Sequence, residues 1–89
     1  MKRARVVVAG RVQAVGFRWA CKDEARRRGL GGWVRNLPDG SVEAAFEGPD
    51  DEVDAMVAWC RTGPSWADVT AIDVTEEPPM GERRFVISE

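Results

Sequence analysis

Arg5-Val6-Val7-Val8-Ala9-Gly10-Arg11-Val12-Gln13-Ala14-Val15-Gly16-Phe17-Arg18 passes from one kind of periodicity to another within 14 residues. Arg5 to Ala9 is short, β-branched and apolar on both faces, as expected of a central strand covered at least partly on each side. Gly10 is predicted to end it. From Phe17 the spacing is helical: Phe17, Cys21 and Ala25 recur every four residues with Ala20 beside them, while Lys22, Asp23, Arg26 and Arg27 point elsewhere. Gly29 is the expected C-terminal cap, and Arg26-Arg27-Arg28 suit the negative end of the helix dipole.

Beyond this unit, Gly32 to Asn36 and Ser41 to Glu47 read as two strands joined by Leu37-Pro38-Asp39-Gly40, a hairpin signal. Val42, Ala44 and Phe46 should face inward, with Glu43, Ala45 and Glu47 on the other face. Gly48-Pro49 before Asp50-Asp51-Glu52 predicts a helix with proline at its first position and acids at its positive end. Val53, Met56, Val57 and Cys60 form its buried stripe, and Gly63-Pro64 stops it. Val69 to Thr75 and Arg84 to Ile87 complete the strands. The order β-α-β-β-α-β, with a possible fifth short strand, is the split βαβ plan. The expected fold is α+β and ferredoxin-like: an antiparallel sheet of four to five strands with two helices on one face.

A chain of 89 residues is expected to form a single domain over 1–89. Its apolar share of 44% and charged share of 31% are ordinary for a folded soluble protein, and no apolar run nears the roughly 20 residues of a membrane span. The apolar stretch after the basic first residues is too short for a signal peptide, so a cytoplasmic location is expected. Cys21 and Cys60 have neither metal-site spacing nor the density of a disulfide scaffold, and read as reduced core thiols. A net charge of −2 argues against generic nucleic-acid affinity, yet its distribution is uneven. Residues 1–36 carry ten Lys and Arg against two acids, and residues 37–89 carry three Arg against thirteen acids. An anion site belongs early in the chain, unless the imbalance is merely surface charge neutralised across the fold.

With no histidine, a His-dependent nucleophile triad cannot be built. Two distant thiols and surface carboxylates make a poor zinc site, and Asp50-Asp51-Glu52 with Asp54 is better explained as a helix start than as a metal cage. What remains is the glycine-flanked loop between the first strand and helix. Main-chain amides of such a turn, with the unpaired donors of a helix's first turn, can converge on phosphate oxygens. Arg18 adds a permanently charged planar fork. In a split βαβ the first two strands run parallel with one strand between them, so Asn36, at the end of the second, shares an edge with that loop, roughly 10 Å away. Its amide offers one donor and one acceptor to a water. Taken alone, the loop also suits a structural turn, and Asn36 a turn residue before Leu37-Pro38.

Gly10-Arg11-Val12-Gln13-Ala14-Val15-Gly16-Phe17-Arg18 followed by Gly32-Trp33-Val34-Arg35-Asn36 resembles the two signature stretches of the acylphosphatase family. The likeness extends through Asp39-Gly40-Ser41-Val42-Glu43, Phe46-Glu47-Gly48, Trp59-Cys60, Gly63-Pro64, Ala67 with Val69, and Phe85 with Ile87. The resemblance implies a ferredoxin-like fold and metal-independent hydrolysis of acyl phosphates to carboxylate and inorganic phosphate, without a cofactor. It assigns phosphate binding to the amides of Arg11, Val12, Gln13, Ala14, Val15 and Gly16 together with Arg18, and the catalytic roles to Arg18 and Asn36. The implied partner is a small acyl phosphate, with no nucleic acid or membrane and with a monomer as the working unit. Two departures stand out. Ala14 occupies a position where the family usually has glycine, at a cost of about 1 kcal/mol if its φ is positive. The ending Val86-Ile87-Ser88-Glu89 lacks the family's frequent aromatic residue.

Three rivals share the fold. An RNA-recognition module needs aromatics on its central strands, where this chain offers Glu43, Ala45 and Glu47. A metallochaperone would carry paired cysteines in the first loop, and none are there. A phosphate sensor or partner-binding domain that kept the loop but lost turnover is the third, with Ala14 as its motive. The fold also occurs as a module in larger hydrogenase-maturation proteins, whereas this chain is expected to be self-contained.

Overall fold

The computed structural model describes residues 1–14 and 16–88. The elements are β1 Lys2–Arg11, α1 Phe17–Arg27, β2 Gly31–Asn36, β3 Val42–Gly48, α2 Asp50–Cys60, β4 Asp68–Glu77 and β5 Phe85–Ile87. They form a sheet of order β4-β1-β3-β2-β5. β1 pairs antiparallel with β3 and β4, and β2 pairs antiparallel with β3. β1 and β2 therefore run parallel with β3 between them, as the ferredoxin-like plan requires. β5 lies parallel to β2, so the sheet is mixed rather than wholly antiparallel. A chain that leaves β4 at one edge and turns back across the sheet reaches the opposite edge running with β2.

Several element ends differ from the sequence reading: β1 begins at Lys2 rather than Arg5, and β4 spans Asp68–Glu77 rather than Val69 to Thr75. β1 does not stop at Gly10: it continues to Arg11 through a bulge at Ala9/Gly10 against β4. Gly10 has φ of 125°, and a Cβ there would stand 2.1 Å from the Asp68 carbonyl oxygen. The glycine thus lets two backbones approach rather than ending the strand. Pro49 is the N-cap of α2 and not its first helical residue, because its ψ of 140° is extended. Its carbonyl accepts the first helical bond from Val53 N at 3.0 Å. α1 ends as expected: Gly29 N donates to Arg26 O and Leu30 N to Ala25 O, the paired bonds of a Schellman cap.

Both helices cover one face. α1 packs over β2 and β5, and α2 over β1 and β3. Phe17, Cys21 and Ala25 from α1 meet Val53, Met56 and Cys60 from α2, with Val6, Val8, Val34, Val42 and Phe46 below them. Phe46 stacks on Phe85 at 5.5 Å, which fastens the three-residue β5 to the core. Burying one such ring contributes roughly 1.5–3 kcal/mol. Cys21 and Cys60 are free, fully buried thiols. Burial, then the hydrogen bond to Cys60, pushes the Cys21 thiol well above its ordinary value.

The other sheet face is not an open platform. All seven residues of β3 are buried, including Glu43 and Glu47. Arg3 on β1, only 2% exposed, donates to Glu47 at 3.0 Å, Glu82 at 2.6 Å and Glu77 at 3.2 Å. Glu47 in turn accepts from Met80 N at 2.8 Å and Gly81 N at 2.7 Å, holding residues 78–84 across the sheet. Arg35 and Arg5 bracket Glu43 nearby. Burial opposes the Arg3 charge, but its hydrogen bonds to Glu82, Glu47 and Glu77 outweigh that and raise its pKa. Burial likewise opposes ionised Glu47, and the Met80 and Gly81 amides with Arg3 win, holding its carboxyl below the ordinary 4.5.

Glu47→Ala takes one of three carboxylate partners from buried Arg3 and leaves the Met80 and Gly81 amides without their acceptor, and is expected to cost about 3 kcal/mol in urea denaturation. A depressed folded-state pKa means the Glu47 contribution is intact above the ordinary 4.5 and drains away as pH falls through the folded value. Acid titration should therefore destabilise the wild type more steeply than Glu47→Gln. Parallel acid profiles would refute this account of the clamp.

Candidate active site

The loop after β1 is built from its anchors. Arg11 pairs with Asp68 on β4, so it belongs to the ladder and the free loop is 12–16. Val12 is buried in the core, fixing the loop from below. Gln13 turns toward the β2–β3 hairpin, donating from Nε2 to Leu37 O at 2.7 Å and Ser41 O at 2.8 Å. Ser41 N and Oγ donate to Asp39 Oδ1, closing that hairpin and holding the Asp39 carboxyl below its ordinary value. Ala14 has φ of 60°, so the strain foreseen for a non-glycine residue is present. Val15 lies outside the described residues.

Gly16, with φ of 80°, is the N-cap of α1, and its carbonyl accepts from Ala20 N at 3.0 Å. No side chain caps this end, and its first turn has no acid. α2, by contrast, carries Asp50, Asp51 and Glu52 in its first turn. The partial positive charge of the α1 N-terminus is thus left uncompensated, and Arg18 adds to it. Val12, Ala14, Gly16, Phe17, Arg18 and Trp19 line a cleft of about 220 Å³ at this turn.

Asn36 is the last residue of β2, opposite Val42. Its Oδ1 is buried and accepts no hydrogen bond from any described residue. It is not part of the cleft wall. Its neighbour Leu37, however, accepts from Gln13, so loop and strand end are tied together. Of the expected site residues, Val12, Ala14, Gly16 and Arg18 share the cleft, Arg11 lies in the sheet, and Gln13 faces the hairpin. Among the described residues no cluster of three or more His, Cys, Asp and Glu side chains is placed to hold a metal.

Sequence reading missed two features. The Gln13 side chain is a tether, and the only hint was a lone amide among apolar loop residues. Trp19 and Trp66 flank the loop: Trp19 is 61% exposed in the cleft wall, and Trp66 Nε1 lies 3.6 Å from where a Gly16 Cβ would stand. Trp66 can be placed beside the turn only once the α2–β4 connection is seen to pass there.

Fold and turn together define a class, the small ferredoxin-like α+β domains with a cationic loop at the carboxyl edge of the sheet. Comparison with known proteins narrows it. The acylphosphatase family model matches residues 4–87. The acylphosphatase of Roseiflexus sp. (strain RS-1) is 55% identical over 84 residues, covering 94% of this chain and 90% of the relative. The crystal structure of acylphosphatase from Bacillus subtilis is 42% identical and superposes with a TM-score of 0.95 over 100% of both chains. The solved structure of an acylphosphatase from Coxiella burnetii is 31% identical, with a TM-score of 0.93 over 98% of this chain and 92% of the other. The chain belongs to the acylphosphatase family, enzymes that hydrolyse acyl phosphates.

Gln13→Ala leaves the Leu37 and Ser41 carbonyls without this donor, and is expected to cost about 1–2 kcal/mol and to speed amide exchange at 37–41. Unchanged exchange there would remove Gln13 as the tether. Ala14→Gly relieves the positive-φ strain but loosens the unfolded chain, for a net gain of up to about 1 kcal/mol in urea denaturation. A loss of stability would show that the Ala14 methyl group is held without strain.

Proposed function

We propose that this chain hydrolyses acyl phosphates by holding the phosphate on Arg18 and main-chain amides of the 11–16 turn while Asn36 positions the attacking water. The observation that carries this reading is the buried Asn36 Oδ1, which has no donor among the described residues. Such an acceptor costs about 1–3 kcal/mol wherever it stays unpaired, and a water admitted to it during the reaction would offset that cost. The uncapped, acid-free start of α1 supports the phosphate half of the reading.

An acyl phosphate already has a good leaving group, so positioning and charge stabilisation suffice. Arg18 and the amides offset charge on the non-bridging oxygens. The water oxygen attacks phosphorus in line, the bond from phosphorus to the acyl oxygen breaks, and the carboxylate departs. The water's proton passes to a phosphate oxygen of the substrate, since no general base stands among the proposed site residues. The chemistry needs no metal or cofactor.

The working unit in this reading is a monomer of one domain, residues 1–89, which a small chain of net charge −2 suits. Two unlinked thiols suit the reducing cytoplasm. No helix among the described residues is long and apolar enough to cross a membrane.

Hydrolysis of benzoyl phosphate in EDTA should proceed with the wild type and fall at least ~100-fold in both Arg18→Ala and Asn36→Ala. Arg18→Ala should also lose inorganic phosphate binding, whereas Asn36→Ala should retain it. Full turnover by Asn36→Ala, or none by the wild type, would end the proposal.

A further inference from the structure

The loop cleft does not end at Arg18. A second, shallower groove of about 340 Å³ runs along α1 beside β5, lined by Arg18, Trp19, Lys22, Arg26, Val86 and Ile87. Arg18 and Trp19 belong to both walls, so the groove opens directly off the phosphate turn. It combines an apolar lining with a row of cations. Arg18, Lys22 and Arg26 stand at i, i+4 and i+8, on one side of the helix and about 6 Å apart in rise from one to the next.

These cations differ from their neighbours. Arg27 and Arg28 on the same helix are neutralised by Glu24, with Glu52 also on Arg28. Arg18, Lys22 and Arg26 make no ion pair with any described carboxylate, although the chain as a whole is acidic. Two of them are held in place all the same. Lys22 Nζ sits over the Trp19 ring, 3.9 Å from its centroid. Arg26 Nε donates to Phe85 O at 3.0 Å, which anchors the guanidinium to β5. Cations fixed by an aromatic face and a backbone carbonyl, rather than by carboxylates, keep their charge available to a ligand.

We propose that this groove is the acyl subsite, and that it selects acyl phosphates whose acyl chain carries a second anionic group. The inference rests on the phosphate-binding reading of Arg18. The carbon chain lies along Trp19, Val86 and Ile87, and its distal anion meets Lys22, with Arg26 one turn further for longer chains. The spacing fits: an extended four-carbon acyl chain places its far carboxylate roughly 6 Å from phosphorus by ordinary bond lengths. That matches the rise from Arg18 to Lys22.

The test compares succinyl phosphate with acetyl phosphate, reading the ratio of their kcat/KM values. The wild type should favour succinyl phosphate by about tenfold, chiefly through KM, and about 0.5 M salt should erase most of that preference. Lys22→Gln with Arg26→Gln should lower the ratio about tenfold, and the double change to Glu should reverse it. A purely structural role for these side chains would shift both substrates together and leave the ratio alone. Hydrolysis of both phosphates at the same ratio in wild type and variants overturns the subsite while sparing the proposed reaction. Failure of the wild type on both overturns the reaction, and the subsite with it.

Discussion

The side-chain amide of Gln13 donates to the carbonyls of Leu37 and Ser41, and so ties the turn after β1 to the hairpin after β2. Neither segment has a regular ladder to hold it there. β1 and β2 are separated by β3, so their carboxyl ends share an edge without touching through main-chain bonds. One amide with two donors bridges that gap and holds the loop before α1 against the residues that follow Asn36. Val12 below and the β1–β4 pairing at Arg11 fix the turn from its other sides.

The sheet carrying this edge is stabilised differently on its two faces. Under the helices the core is apolar, and Phe46 and Phe85 hold the short β5 in place. On the other face a buried Arg3 with its carboxylates, and Glu47 with two amides, fasten the returning chain. Ionic groups succeed here because each has several partners; the same charges left single would be destabilising. The arrangement places Glu43, Glu47, Glu77 and Glu82 on that face. On the opposite side α1 presents Arg18, Lys22 and Arg26, which no described carboxylate pairs, where the turn after β1 opens.

The heptad-free, short elements of this chain were legible because each carries its own local chemistry. Phe17, Cys21 and Ala25 follow the helix period, Gly29 closes a Schellman cap, and Leu37 to Gly40 form the hairpin turn. The ends that failed depended on neighbours. Gly10 looks like a strand breaker until β4 is brought within contact of it, and Pro49 looks like a first helical residue until its ψ is known. The orientation of β5 was equally hidden, since three residues carry no signal of direction.

By itself the sequence determined the order of elements, the glycine-flanked turn with Arg18, and Asn36 at the end of the second strand, because these are set by side-chain period and turn chemistry within a few residues. Only the tertiary structure decided that Gln13 is the tether, that Glu43 and Glu47 are buried, that Asn36 Oδ1 finds no donor among the described residues, and that Lys22 and Arg26 stand beside β5. Each of those facts concerns a contact between residues far apart in the chain. Such contacts arise from how surfaces of distant elements meet, which no local pattern encodes.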